Sequence, residues 1–73
     1  MKLGRISARN VIAGKVVEVK KGTVAAQVRV DIGGGNIVTS SITVDSLDNL
    51  ALRPGSDVAV IIKASSVILG VAE

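Results

Sequence analysis

Two short runs of this chain are rich in hydrogen-bond donors and free of carboxylates: Ser7-Ala8-Arg9-Asn10 near the start and Lys63-Ala64-Ser65-Ser66 near the end. A small dianion needs a lining of this type, because N–H, hydroxyl and cationic groups replace its hydration shell whereas a carboxylate would repel it. Short donor clusters also shape turns and end strands, so the residue types alone leave both readings open. Other chemistry has little to work with. The chain holds no His and no Cys, which removes the usual base near neutrality, the thiolate nucleophile, disulfides and ordinary zinc ligation. Asp31, Asp45, Asp48 and Asp57 stand at turn, cap or strand-end positions and read as solvated carboxylates. The expectation is a protein that catalyses nothing and holds no bare metal cation.

The elements that must position the two runs follow from hydrophobic periodicity. From Thr23 to Ile32, Val24, Ala26, Val28, Val30 and Ile32 alternate with Thr23, Ala25, Gln27, Arg29 and Asp31, which predicts a strand with one apolar face. Val-rich Gly14 to Lys20 predicts the strand before it, joined through Lys21-Gly22 as a hairpin. Gly33-Gly34-Gly35-Asn36 then turns the chain into a third, β-branched strand, Ile37 to Thr43. Val44 to Leu52 changes character: Leu47, Leu50 and Ala51 fall at helical spacing, Asp45 is placed to cap the start, and Pro54-Gly55 forms a stop. Asp57 to Lys63 and Ser66 to Val71 read as a fourth and a fifth strand. The fold expected is all-β: an OB-fold-like five-stranded small barrel with a short helix between strands 3 and 4, spanning residues 1–73 as one domain. SH3-like and other Greek-key barrels compete on pattern alone.

A 73-residue chain buries a modest fraction of its surface and needs a supplement to its core. Without Cys or His, association with other copies is what remains. Composition agrees, since 48% of the residues are apolar yet none is Phe, Tyr or Trp. The apolar area is spread over Val, Ile, Leu and Ala, and a narrow barrel cannot hold all of it inside, so a monomer would expose a large patch. In Asp57 to Lys63, Val58, Val60 and Ile62 lie on one side with Ala59 and Ile61 on the other, as if the strand were covered twice.

The formal charge of +3 favours anionic partners without naming one. A barrel that binds single-stranded nucleic acid stacks bases on aromatic side chains. This chain has none, so contacts through Lys15, Lys20, Lys21 and Arg29 are a lesser reading, and no nucleic acid is expected as partner. No apolar run approaches the roughly 20 residues that span a bilayer, and Met1-Lys2-Leu3-Gly4-Arg5 lacks the apolar region of a signal peptide. No membrane is expected, and the location read is cytoplasmic.

The two donor runs, with what lies between them, resemble the molbindin or Mop family, the molybdate-binding domains of TOBE type. The resemblance is carried by Ile6-Ser7-Ala8-Arg9-Asn10, by Gly14-x-Val16, by Lys21-Gly22-x-Val24-x-Ala26-x-Val28 and by Lys63-Ala64-Ser65-Ser66-Val67-Ile68-Leu69-Gly70-Val71. It implies an OB-like barrel assembled as a homo-oligomer, a hexamer built as a trimer of dimers, that holds molybdate or tungstate at subunit interfaces for molybdenum storage and homeostasis. It also implies a principal site in which Ser7, Ala8 and Arg9 of one subunit face Thr43, Ser46, Lys63 and Ala64 of a neighbour. Arg9 and Lys63 would balance the anion's charge, Ser7, Thr43 and Ser46 would offer hydroxyls, and Ala8 and Ala64 their backbone N–H groups. A site made only of donors suits a fully ionised oxyanion and disfavours hydrogen phosphate, whose proton would lack an acceptor. The readings from other classes are an oligomeric structural module without a specific ion, and the nucleic-acid-binding barrel.

Overall fold

The alternation in Thr23 to Ile32 becomes the centre of the molecule. A computed structural model of the chain describes residues 3–73; Met1 and Lys2, part of the N-terminal stretch considered above, lie outside them. The elements are β1 (Asn10–Lys21), β2 (Ala25–Asp31), β3 (Ile37–Thr43), α1 (Val44–Asn49), β4 (Asp57–Ile62) and a 3-10 turn at Ala64–Ser66. The strands form one antiparallel sheet in the order β3-β2-β1-β4. Ala26, Val28 and Val30 of β2 are buried with Val16 and Leu47, and Val19, Ile32, Ile42, Val44, Leu52, Val58 and Val60 pack around them. Gln27 and Arg29, the alternating partners, face outward.

β1 is longer than its Val-rich stretch predicts, and its length organises the sheet. Its first half, Asn10 to Lys15, pairs with β4, and its second half, Lys15 to Lys21, pairs with β2. The register with β2 shifts between Val16 and Glu18, so Val17 is the extra residue of a bulge. A bulge moves inward-facing positions by one and bends the strand: Val16 is buried ahead of it, Val17 is exposed, and Val19 packs on the core beyond it. The bend curls four strands into a half-barrel.

Gly14 sits where β1 passes close to the end of β2. A Cβ built there would lie 2.5 Å from Val30 Cγ1 and 2.9 Å from the Asp31 carbonyl oxygen. A backbone atom cannot yield as a side chain can, so Gly14→Ala is expected to cost about 1–3 kcal/mol as overpacking. The check is a lowered urea midpoint at unchanged m-value. An unchanged midpoint would show that the strands separate freely here.

The helix departs from its sequence expectation. Thr43, not Asp45, is the N-cap: its Oγ1 accepts from the Ser46 backbone N–H at 3.0 Å and its hydroxyl donates to Ser46 Oγ at 2.9 Å. Thr43 ends β3 in extended geometry, which is the backbone an N-cap requires, and this leaves Asp45 in the first turn. α1 stops at Asn49 because Ala51 takes a positive φ of 52° and the Leu52 N–H returns to the Leu47 carbonyl. Only Leu47 of the helix is buried; Leu50 is 64% exposed.

The fifth strand expected at Ser66 to Val71 is absent, so the barrel has four strands. After Ile62 the chain enters the 3-10 turn, closed by Ser66 N–H to the Lys63 carbonyl and Val67 N–H to the Ala64 carbonyl. The segment beyond it is extended at Val67 but meets no strand of its own chain. A strand exists through its neighbour's hydrogen bonds, so propensity without a partner edge leaves an unpaired segment.

Candidate functional site

Past the last β1–β4 pair, Asn10 with Ile62, the next residues on the two strands are Arg9 and Lys63. The Asn10 side chain reinforces this end of the ladder, donating from Nδ2 to the Ile62 carbonyl at 3.1 Å. Asn10 therefore positions the site without lining it. Ser7, Ala8 and Arg9 together with Lys63, Ala64 and Ser65 line a depression of about 600 Å3, to which Ile6 and Ile61 add apolar lining. The sheet register brings together two runs more than fifty positions apart.

The electrostatics of this rim are one-sided. Its charged residues are Arg9 and Lys63, and no carboxylate lines it. Among the described residues the ion pairs are Lys15–Asp57 at 3.2 Å, Lys21–Asp48 at 3.1 Å and Arg29–Glu18 at 3.9 Å, and neither Arg9 nor Lys63 takes part in one. Two cations at one end of a ladder repel each other, and an anion between them relieves that repulsion. With hydroxyls from Ser7 and Ser65 and nearby backbone N–H groups, the rim can bind and orient an anion. It contains no group suited to accept a proton at neutral pH.

Of the residues expected at the site, Ser7, Ala8, Arg9, Lys63 and Ala64 share this depression, all within one chain. Thr43 and Ser46 do not line it; they cap α1 and hydrogen-bond each other. Ile6, Ile61 and Ser65 line the depression and were not among the expected ligands. Ser65 lay in the donor-rich run, and Ile61 had its own signal as the second apolar face of β4.

A different depression, about 530 Å3 and apolar, occupies the concave side of the sheet and is bordered by Val38 and Ile42 of β3 and by Val58 and Val60 of β4. Its lining lacks the paired cations of the first.

Fold and rim together define the class: a small OB-like half-barrel carrying a cationic, donor-lined edge. The TOBE domain model matches residues 6–69. A probable molybdenum-pterin-binding protein of Haemophilus influenzae is 46% identical over 67 residues, covering 92% of this chain and 97% of that protein. The solved structure of MopII from Clostridium pasteurianum in an apo form superposes with a TM-score of 0.85 at 42% identity, covering 92% of this chain and all of that one. The cytoplasmic molybdate-binding protein ModG, solved with molybdate bound, superposes with a TM-score of 0.89 at 42% identity; the match covers 94% of this chain and 49% of ModG. The chain belongs to the TOBE-domain family and, within it, to the molbindin (Mop) proteins. Their common architecture is an OB-like barrel, here with four strands in a single copy.

Proposed function

We propose that this protein binds molybdate, or tungstate, at a site completed between the subunits of a homo-oligomer, and that it serves molybdenum storage and homeostasis in the cytoplasm. The observation that carries the reading is the depression walled by Ser7, Ala8, Arg9, Lys63 and Ala64, which holds two cations and no carboxylate. The names of its relatives agree: one is described as molybdenum-pterin-binding, and ModG binds molybdate.

Exposure supports completion by a neighbour. Ser7, Arg9, Lys63 and Ala64 are all exposed in the single chain, so an anion held there would keep water and counterions on its open side, which screen each contact. A second subunit that covers the rim raises the worth of every donor by excluding water. In this reading Thr43 and Ser46 of a neighbouring subunit supply the remaining hydroxyls, and a hexamer arranged as a trimer of dimers repeats the contact. The activity is binding, without catalysis. Among the described residues no helix is long and apolar enough to cross a membrane.

A thermal scan tests the reading. A ligand at ~100 times its Kd stabilises the native state by about 2.7 kcal/mol per site, so millimolar molybdate is expected to raise the melting temperature while equimolar sulfate does so much less. Native mass spectrometry in the same buffers counts subunits and bound anions together. Equal effects of the two anions, with no retained molybdate, would overturn the assignment.

A further inference from the structure

The anion rim is built from two segments that are held in different ways. Lys63, Ala64 and Ser65 follow β4 directly, and the 3-10 turn at Ala64–Ser66 is closed by its own backbone hydrogen bonds. Ser7 and Ala8 lie before β1, whose ladder to β4 starts at Asn10. Among the described residues, residues 3–8 make no hydrogen bond. A segment without backbone partners is tied by its side chains alone, and untied it samples many conformations that do not present Ser7 and Arg9 together.

Two side chains tie it. Ile6 lines the anion depression, Leu3 lines the apolar groove on the concave face, and Ile61 lines both. The two hollows therefore adjoin at Ile61, and the chain passes from one to the other between Leu3 and Ile6, through a bend at Arg5. Burial separates Leu3 from a free terminus. It is 40% exposed, whereas Ile68 and Leu69, near the other end of the chain, are 94% and 89% exposed. Gly4 beside it has open space where a Cβ would stand and no positive φ, so no close contact requires glycine there. The TOBE match begins at residue 6, which leaves Leu3 ahead of it.

We propose that Leu3 is a positioning residue: seated in the apolar groove, it anchors residues 3–9 as a strap and so holds Ser7 and Arg9 at the rim. The effect on anion binding rests on the proposed function; the anchoring itself does not. Because the anchored strap is the form that presents both groups, apparent affinity for the anion scales with the anchored fraction. Linkage makes the effect mutual, so an anion on the rim also holds the strap down as far as Arg5, which does not line the depression. Arg5 and Arg9 supply the readout. Trypsin cuts after each, and cleavage of a segment that opens and closes rapidly tracks the population of its open form.

The test digests the full chain with trypsin, first without molybdate, each rate being divided by that of the matching synthetic peptide of residues 1–10. Leu3→Ser is expected to speed cleavage after Arg5 and Arg9 by about fivefold to tenfold, the range for uncovering most of one aliphatic side chain, at an unchanged urea midpoint. Leu3→Met, apolar and of similar volume, should be cut at close to the wild-type rate. Gly4→Ala should slow cleavage about twofold to fivefold, since alanine fits the site and removes freedom from the loose strap. Saturating molybdate should slow the cut after Arg5 in wild type, and equilibrium dialysis should show Leu3→Ser holding molybdate about fivefold to tenfold more weakly. Equal cleavage of wild type and Leu3→Ser would overturn the anchor, and faster cleavage at unchanged molybdate affinity would overturn its role at the rim. Should Leu3→Ser fail to fold, a cut after Arg5 that neither Gly4→Ala nor molybdate slows overturns the proposal. Wild type that retains no molybdate, with the cleavage differences intact, would sink the proposed function and leave the anchor standing.

Discussion

Replacing Arg9 or Lys63 by alanine is expected to weaken molybdate binding by about tenfold to a hundredfold while the fold stands. Both side chains are exposed, and among the described residues neither makes an ion pair, so their removal leaves no buried group without a partner. What is lost is a charge-assisted hydrogen bond to the anion, worth about 1.5–3 kcal/mol, with a factor of ten for each 1.4 kcal/mol. Arg9→Lys separates charge from geometry. It keeps the cation but loses the planar fork that can meet two oxygens at once, so its loss is expected to fall between wild type and alanine. Equilibrium dialysis against labelled molybdate measures all three, and unchanged urea midpoints confirm that the fold is intact. Wild-type affinity in both alanine variants would remove the depression from consideration as the binding site.

The second large effect concerns stability. Leu47 is the one buried side chain that α1 contributes, 4% exposed in the core with Val16, Ala26, Val28 and Val30. Leu47→Ala truncates that side chain and is expected to cost about 2–5 kcal/mol, the transfer term plus the cavity left behind. A chain of this length has in total roughly 4–11 kcal/mol of stability at the usual value per residue. The loss is therefore a large share of what holds the protein folded. Urea denaturation followed by circular dichroism should show a greatly lowered midpoint or an unfolded chain at 25 °C. A change below about 1 kcal/mol would mean that the neighbouring aliphatics collapse into the space. Ligand offers a cross-check: if the anion binds only the native state, molybdate should partly restore the variant's midpoint.

β3 appears over the residues its pattern predicts, Ile37–Thr43, because β-branched residues bounded by a glycine-rich turn specify a strand locally. The turn itself was equally legible: Gly33, Gly34 and Gly35 all take positive φ, a region that side-chain-bearing residues rarely occupy. The cap was not legible, since Thr43 and Asp45 are both good capping types and the choice depended on where β3 released the chain. Nor was the bulge at Val17. Val16 and Val17 are the same residue, and only pairing with β2 makes one the core and the other surface.

The sequence by itself determined the chemistry available: donors and cations in two carboxylate-free runs, no thiol, imidazole or aromatic ring, and an aliphatic excess too large for a narrow core. These follow from side-chain type, which folding does not alter. Tertiary structure decided which residues meet. It set Arg9 beside Lys63 through the β1–β4 register, kept Thr43 and Ser46 at the helix cap, and left Val67–Val71 without a neighbour in its own chain. The reason is that a strand's hydrogen bonds are made to residues far away in sequence. A pattern of alternating residues can state readiness to pair, and only the folded arrangement of edges decides with what.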